Sequence, residues 1–179
     1  MSWRDLRKIE VAKSQLETAI ELFFKNGDSV SIHTLACAAH EILEVLCKKK
    51  GIASFHLEMM GRIPEIKRDL VRNKLAEAKN FFKHGKRDPN ATLKFNPKTT
   101  EFVLWDACSL YRKYTGEFGK QRELFLFEVW FVLKNKDAFP QIEGNVSGLD
   151  KIQSDIEDKG VFYQHASLAL DALSGEIYT

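Results

Sequence analysis

Stretches of helical periodicity, nearly all punctuated by glycine or proline, cover most of this 179-residue chain, and no clear pair of strands interrupts them. The first runs from about Trp3 to Lys25 and stops at Asn26-Gly27. The second follows Asp28-Ser29, covers Ile32 to Lys50 and stops at Gly51. A short piece around Ser54–Met60 leads to Gly61, and a third long stretch opens at Pro64 and closes at His84-Gly85. Asn96-Pro97 opens a fourth that reaches Thr115-Gly116, a fifth spans about Lys120–Lys134, and the last ends near Leu173-Ser174-Gly175. Only Leu124–Leu133 reads equally as a buried strand, with one charge in ten residues. Its flanks, Gln121–Glu123 and Lys134–Lys136, extend it past strand length, and a strand would have no partner, so it is expected to be a central helix. Glu128 inside it then needs a hydrogen-bond or charge partner. The expected fold is an all-α bundle of about five to six helices in a single helical domain over 1–179. Residues 1–140 are its core bundle, and 141–179 a C-terminal linker and helix.

Composition excludes disorder: 44% of residues are apolar and 29% charged. No run approaches the ~18 uncharged apolar residues of a membrane span, so no membrane partner is expected. A charged N-terminus without an apolar run after it, and three cysteines (Cys37, Cys47, Cys108) in helical-looking stretches, point to buried free thiols in the cytoplasm. The net charge of +2 hides an asymmetry: residues 1–98 carry 19 basic and 12 acidic side chains, residues 99–179 carry 8 and 13. From Arg62 to Arg87 there are nine basic and three acidic residues.

At ~100° per residue the Pro64–His84 stretch sorts into three faces. Ile63, Leu70, Val71, Leu75, Ala78, Phe81 and Phe82 form an apolar face expected to enter the core. Arg68, Arg72, Lys79, Lys83 and Lys86, continued by Arg87, form a basic ridge, and Asn73, Glu77, Asn80 and His84 a polar stripe. The ridge is either a solvated face or a contact surface for phosphates or an acidic partner. The second stretch carries His33, Cys37, His40 and Glu44 on one side, with Glu41 beside them. His40 and Glu44, at i and i+4, can share a proton or ligate one ion, or they are boundary residues making local hydrogen bonds. Were the two helices to pack side by side, His40, Glu44, Glu77, Asn80 and His84 would meet across a groove. No HExxH or ExxH pair, phosphate-binding loop or nucleophile elbow is present, so no cofactor is implied. Trp105, Tyr111, Trp130 and Phe131 read as core, and so do Asp106 and Cys108. The ends of the first and third stretches repeat one form, FFK-N/H-G, as a way to stop a helix: aromatics dock, lysine meets the last carbonyls, glycine turns left-handed.

Lys79-Asn80-Phe81-Phe82-Lys83-His84 resembles the R-N-x3-H form of the motif of the HEPN superfamily, small all-α domains that include metal-independent RNases of defence and toxin–antitoxin systems. The resemblance implies a homodimer that brings two motifs together. It implies His84 in acid–base chemistry, Asn80 orienting and Lys79 stabilising phosphate charge, with Glu77 and His40 as supporting candidates. Lys79 stands where the family has arginine, and lysine cannot make the bidentate phosphate fork. The leading expectation is therefore a HEPN-like RNA-binding domain or degenerate RNase. Arg68, Arg72, Lys83, Lys86 and Arg87 would contact nucleic acid. A non-catalytic module that takes an acidic protein or a nucleic acid is the alternative, and a metal-binding bundle enzyme using His40, Glu44 and His84 a second alternative.

Overall fold

The computed structural model describes residues 3–85, 89–117, 119–139 and 155–176. The described residues are all-helical, without strands, but the elements outnumber the five to six expected. Among the described residues there are seven α-helices: α1 Lys8–Phe24, α2 Ser29–Lys48, α3 Phe55–Arg62, α4 Glu65–Lys83, α5 Lys98–Thr115, α6 Arg122–Lys134 and α7 Lys159–Glu176, with one 3-10 turn at Lys136–Ala138. The short Ser54–Met60 piece accounts for part of the excess, because Ser54 caps it well enough to make it a helix: its side chain accepts from the Leu57 N–H.

Local chemistry explains most boundaries. Asp28 accepts from Ser31 N at 2.7 Å and starts α2, and Glu10 accepts from the Arg7 N–H at 2.9 Å and closes the first turn of α1. Gly116, at φ 73°, ends α5 in the left-handed region that glycine occupies without strain. The two FFK ends do not stop alike. At the first, Asn26 and not Gly27 takes the positive φ of 53°, Lys25 pairs with Glu21, and Gly27 is needed for its close approach to Leu22, whose side chain a Cβ would meet at 3.1 Å. At the second, His84 is the C-cap of α4 with a negative φ of −121°, and Lys83 turns to another helix.

The core lies between α1, α2, α5, α6 and α7, around Leu16, Ile20, Leu43, Leu104, Phe127, Trp130, Phe131 and Phe162. Leu124–Leu133 is the expected central helix. Phe23 meets Trp130 edge to face at 4.8 Å, Phe24 stacks on Phe162 at 6.1 Å, and the Trp130 indole donates to the Ile156 carbonyl at 3.1 Å. Glu128 finds its partner in Arg112 at 3.3 Å, although burial still pushes its carboxyl above the ordinary value. Phe162 and Ala166 of α7 are part of the core; residues 140–154 of the expected linker fall outside the described residues.

Among the described residues α2 is the one helix long and apolar enough, by length and composition, to cross a membrane. Here it packs against α1 and α5, burying Ala36, Ala39, Leu43 and Cys47. All three cysteines are free and buried.

Candidate functional site

The polar side of α2 is divided between two neighbours. His33 is buried: its Nδ1 lies 2.9 Å from Thr100 Oγ1, its Nε2 3.4 Å from Cys37 Sγ, and its ring against Phe82 and Phe95. Burial lowers its pKa, which favours the neutral ring. Two turns on, His40 Nε2 contacts Asp106 Oδ2 on α5 at 2.9 Å, with Glu44 Oε2 3.7 Å from Nδ1. Asp106 also accepts the N–H groups of Phe55 (2.9 Å) and His56 (3.2 Å), the first two of α3, while Ser54 donates to Glu44 at 3.0 Å. Burial alone would push the Asp106 carboxyl up, but the contact with His40 and the two backbone N–H groups outweigh it and hold the pKa below its ordinary value.

This cluster is a docking device. It satisfies the otherwise unpaired N–H groups that begin α3 with a carboxylate supplied by α5, and it leaves Ser54 no contact with His40 through which a nucleophile could be activated. Sequence reasoning placed Asp106 in the core and gave it no partner. The signal was a carboxylate on the apolar side of a helix, which must be paired when buried.

Glu41 faces the other way, toward α4. Its Oε1 accepts from Lys79 Nζ in a short hydrogen bond, and its Oε2 from Lys83 Nζ at 3.1 Å. Burial would raise the Glu41 pKa, but the two lysines lower it on balance. Phe82 inserts beside them, 5.1 Å from Phe95 and 5.7 Å from His33 between ring centres. These contacts fix the rotation of α4, and the result reverses part of the expected layout.

The described members of the basic ridge turn toward neighbouring elements. Arg68 donates to the carbonyls of Ile63 (2.9 Å) and Gly61 (3.4 Å), while Lys79 and Lys83 hold Glu41. The Arg72 side chain, Lys86 and Arg87 fall outside the described residues. Part of the apolar face is in solvent: Leu70 is 71% and Phe81 40% exposed, as is Ile66 at 92%. The correction has a simple cause: α4 packs mainly along α2, so one edge is enough to cover Phe82 and the opposite edge stays open.

Glu77, Asn80 and His84 are exposed, and at ~100° per residue they share a stripe with Ile66, Leu70 and Phe81. They do not join His40 and Glu44 in one groove: His40 is committed to α5 and α3, and His84 projects from the open end of α4. Lys79 and His84 point to different sides of their helix. Among the described residues no group of three His, Cys, Asp or Glu side chains could hold a metal ion. Compared with known proteins, the chain matches no family model, no curated sequence and no solved structure.

Proposed function

We propose that the chain is a HEPN-like domain that contacts single-stranded RNA through the C-terminal half of α4 and has lost, in the free monomer, the geometry for cleaving it. The observation that carries this reading is the shared exposure of Asn80, Phe81 and His84 beside two lysines. An exposed aromatic ring gives a base a stacking surface, an amide and an imidazole offer hydrogen bonds to base edges or sugar, and nearby ammonium groups attract the backbone. Lys86 and Arg87, two and three residues beyond His84, extend the positive charge in sequence. Cleavage has less support. Lys79, which replaces the motif arginine, is held by Glu41, and its side of the helix is not that of His84. Asn80 and His84 are then contact residues, with Glu77 on their flank.

Labelled oligouridine titrated into the full chain tests the reading. Wild type should bind with an affinity that falls steeply between 50 and 300 mM salt (about tenfold or more), and Phe81→Ala with His84→Ala should weaken it by about tenfold. Binding insensitive to both salt and the double substitution would remove the site.

Ile66 and Leu70 favour a second reading for the other half of the same stripe. Two large aliphatic side chains this exposed, one turn apart, suit a protein surface better than a nucleic acid. A second copy of the chain fits there, since it would set two Asn80–His84 ends along one seam, the arrangement the HEPN resemblance implies.

A further inference from the structure

We propose that Lys79 and Lys83 form a phosphodiester site for which Glu41 is the built-in competitor, an inference that rests on the RNA-contact reading above. The two lysines lie one turn apart on α4 and converge on one carboxylate of α2, Lys79 on Oε1 and Lys83 on Oε2. Two ammonium groups face a single negative charge, so the cluster keeps one excess positive charge. A phosphodiester carries the same charge as the carboxylate and presents its two non-bridging oxygens as a comparable pair of acceptors. It can replace Glu41 without leaving either lysine unpaired.

Exposure makes that exchange cheap. The Glu41 side chain is 45% accessible, and its partners 24% and 32%, so the displaced carboxylate rotates into water. Pairs this open add little to stability, and α4 keeps its aromatic anchor, Phe82 between His33 and Phe95, when they break. Position supports the assignment as well. Lys83 is the residue before His84 and Lys79 the one before Asn80, so a strand lying along the exposed end of α4 brings phosphates to this edge. The free protein therefore holds its phosphate-binding lysines occupied, and only a polyanion that outcompetes Glu41 frees them.

The experiment is oligouridine binding to the full chain in four forms: wild type, Glu41→Gln, Lys79→Ala with Lys83→Ala, and all three substitutions together. Glu41→Gln should bind about fivefold tighter. Its dependence of log affinity on log salt should be steeper by about one, because freed lysines release counterions that Glu41 otherwise replaces. The double lysine variant should bind more weakly than wild type, and adding Glu41→Gln to it should restore nothing. Circular dichroism and thermal melts should show Glu41→Gln as folded as wild type.

If Glu41→Gln binds no better while the lysine variant still binds worse, the competitor role falls and the RNA reading stands. If the gain persists without the lysines, Glu41 acts only through general charge, and the site is refuted. If no form binds RNA, both readings fall together. Polyglutamate that displaces the RNA equally well at matched charge would show a site for acidic protein, and would overturn the assignment to phosphate.

Discussion

Replacing Asp106 by alanine isolates the link between α3 and the bundle. Asp106 is 5% exposed and accepts from His40 and from the N–H groups of Phe55 and His56. Alanine leaves all three donors without this acceptor. A buried donor that loses its partner costs ~1–3 kcal/mol, and three donors lose one here, with part of the loss relieved by water. Apolar packing adds less to α3: Met60 is its one buried apolar side chain, Phe55 meets Trp105 edge to face at 5.0 Å, and Leu57 and Met59 are exposed. The expected loss is therefore about 3 kcal/mol, read as a fall of ~6–12 °C in Tm for a chain of this size, with Asp106→Asn in between because it keeps one acceptor oxygen. Amide exchange at Phe55, His56 and Leu57 should accelerate more than in α1 or α6. Acid should act in the same direction. The folded pKa of Asp106 lies below the unfolded value, so in that interval the unfolded chain binds more protons. The stabilisation is complete above the ordinary aspartate range near ~3.9 and is lost as pH falls through the folded value. A loss below ~1 kcal/mol, with the α3 amides still protected, would refute the docking role.

Two further outcomes follow from burial and exposure. Ile66→Asp with Leu70→Asp should leave the melting temperature within about 2 °C of wild type, since neither side chain is covered, but should abolish any self-association seen by analytical ultracentrifugation. A monomeric wild type at 100 μM would dispose of the second-copy reading. Cys37, Cys47 and Cys108 should not react with a thiol reagent at pH 8 until urea unfolds the chain, because all three are buried and the Cys37 thiol is pushed up to about 11, first by burial. Stoichiometric labelling of the folded protein within minutes would contradict that.

The helices themselves were legible because their determinants are local. Asp28 before α2, Gly116 after α5 and the long apolar run of α6 each act within a turn or two of the residues they organise. The direction in which α4 faces was not. Its residues offer a broad apolar arc and a basic arc, and periodicity says only that the two differ. Which arc meets the body depends on α2, which supplies a carboxylate at Glu41 and an aromatic niche beside His33. Both favour the Lys79–Phe82–Lys83 edge, so Leu70 and Phe81 stay outside. Asp106 escaped notice for the same reason: its partners are 50 or more residues away in sequence, and two of them are backbone groups that carry no sequence signal at all.

The rotation of α4 also decides what a catalytic motif on it could do. Lys79 and His84 are five residues apart, about 140° around an ideal helix, and Lys79 is turned toward Glu41 while His84 stands at the open C-terminal end. One phosphate cannot touch both side chains of the same copy without unwinding the last turn. Placing arginine at position 79 would therefore improve the hydrogen-bonding fork yet leave it aimed at α2, where Glu41 matches a guanidinium even better than an ammonium. Cleavage by a HEPN-like route thus needs two changes at once, release of residue 79 from Glu41 and a second copy to bring another His84 to the same phosphate. RNA contact through Asn80, Phe81 and His84 needs neither, which is why contact is the function proposed for this surface.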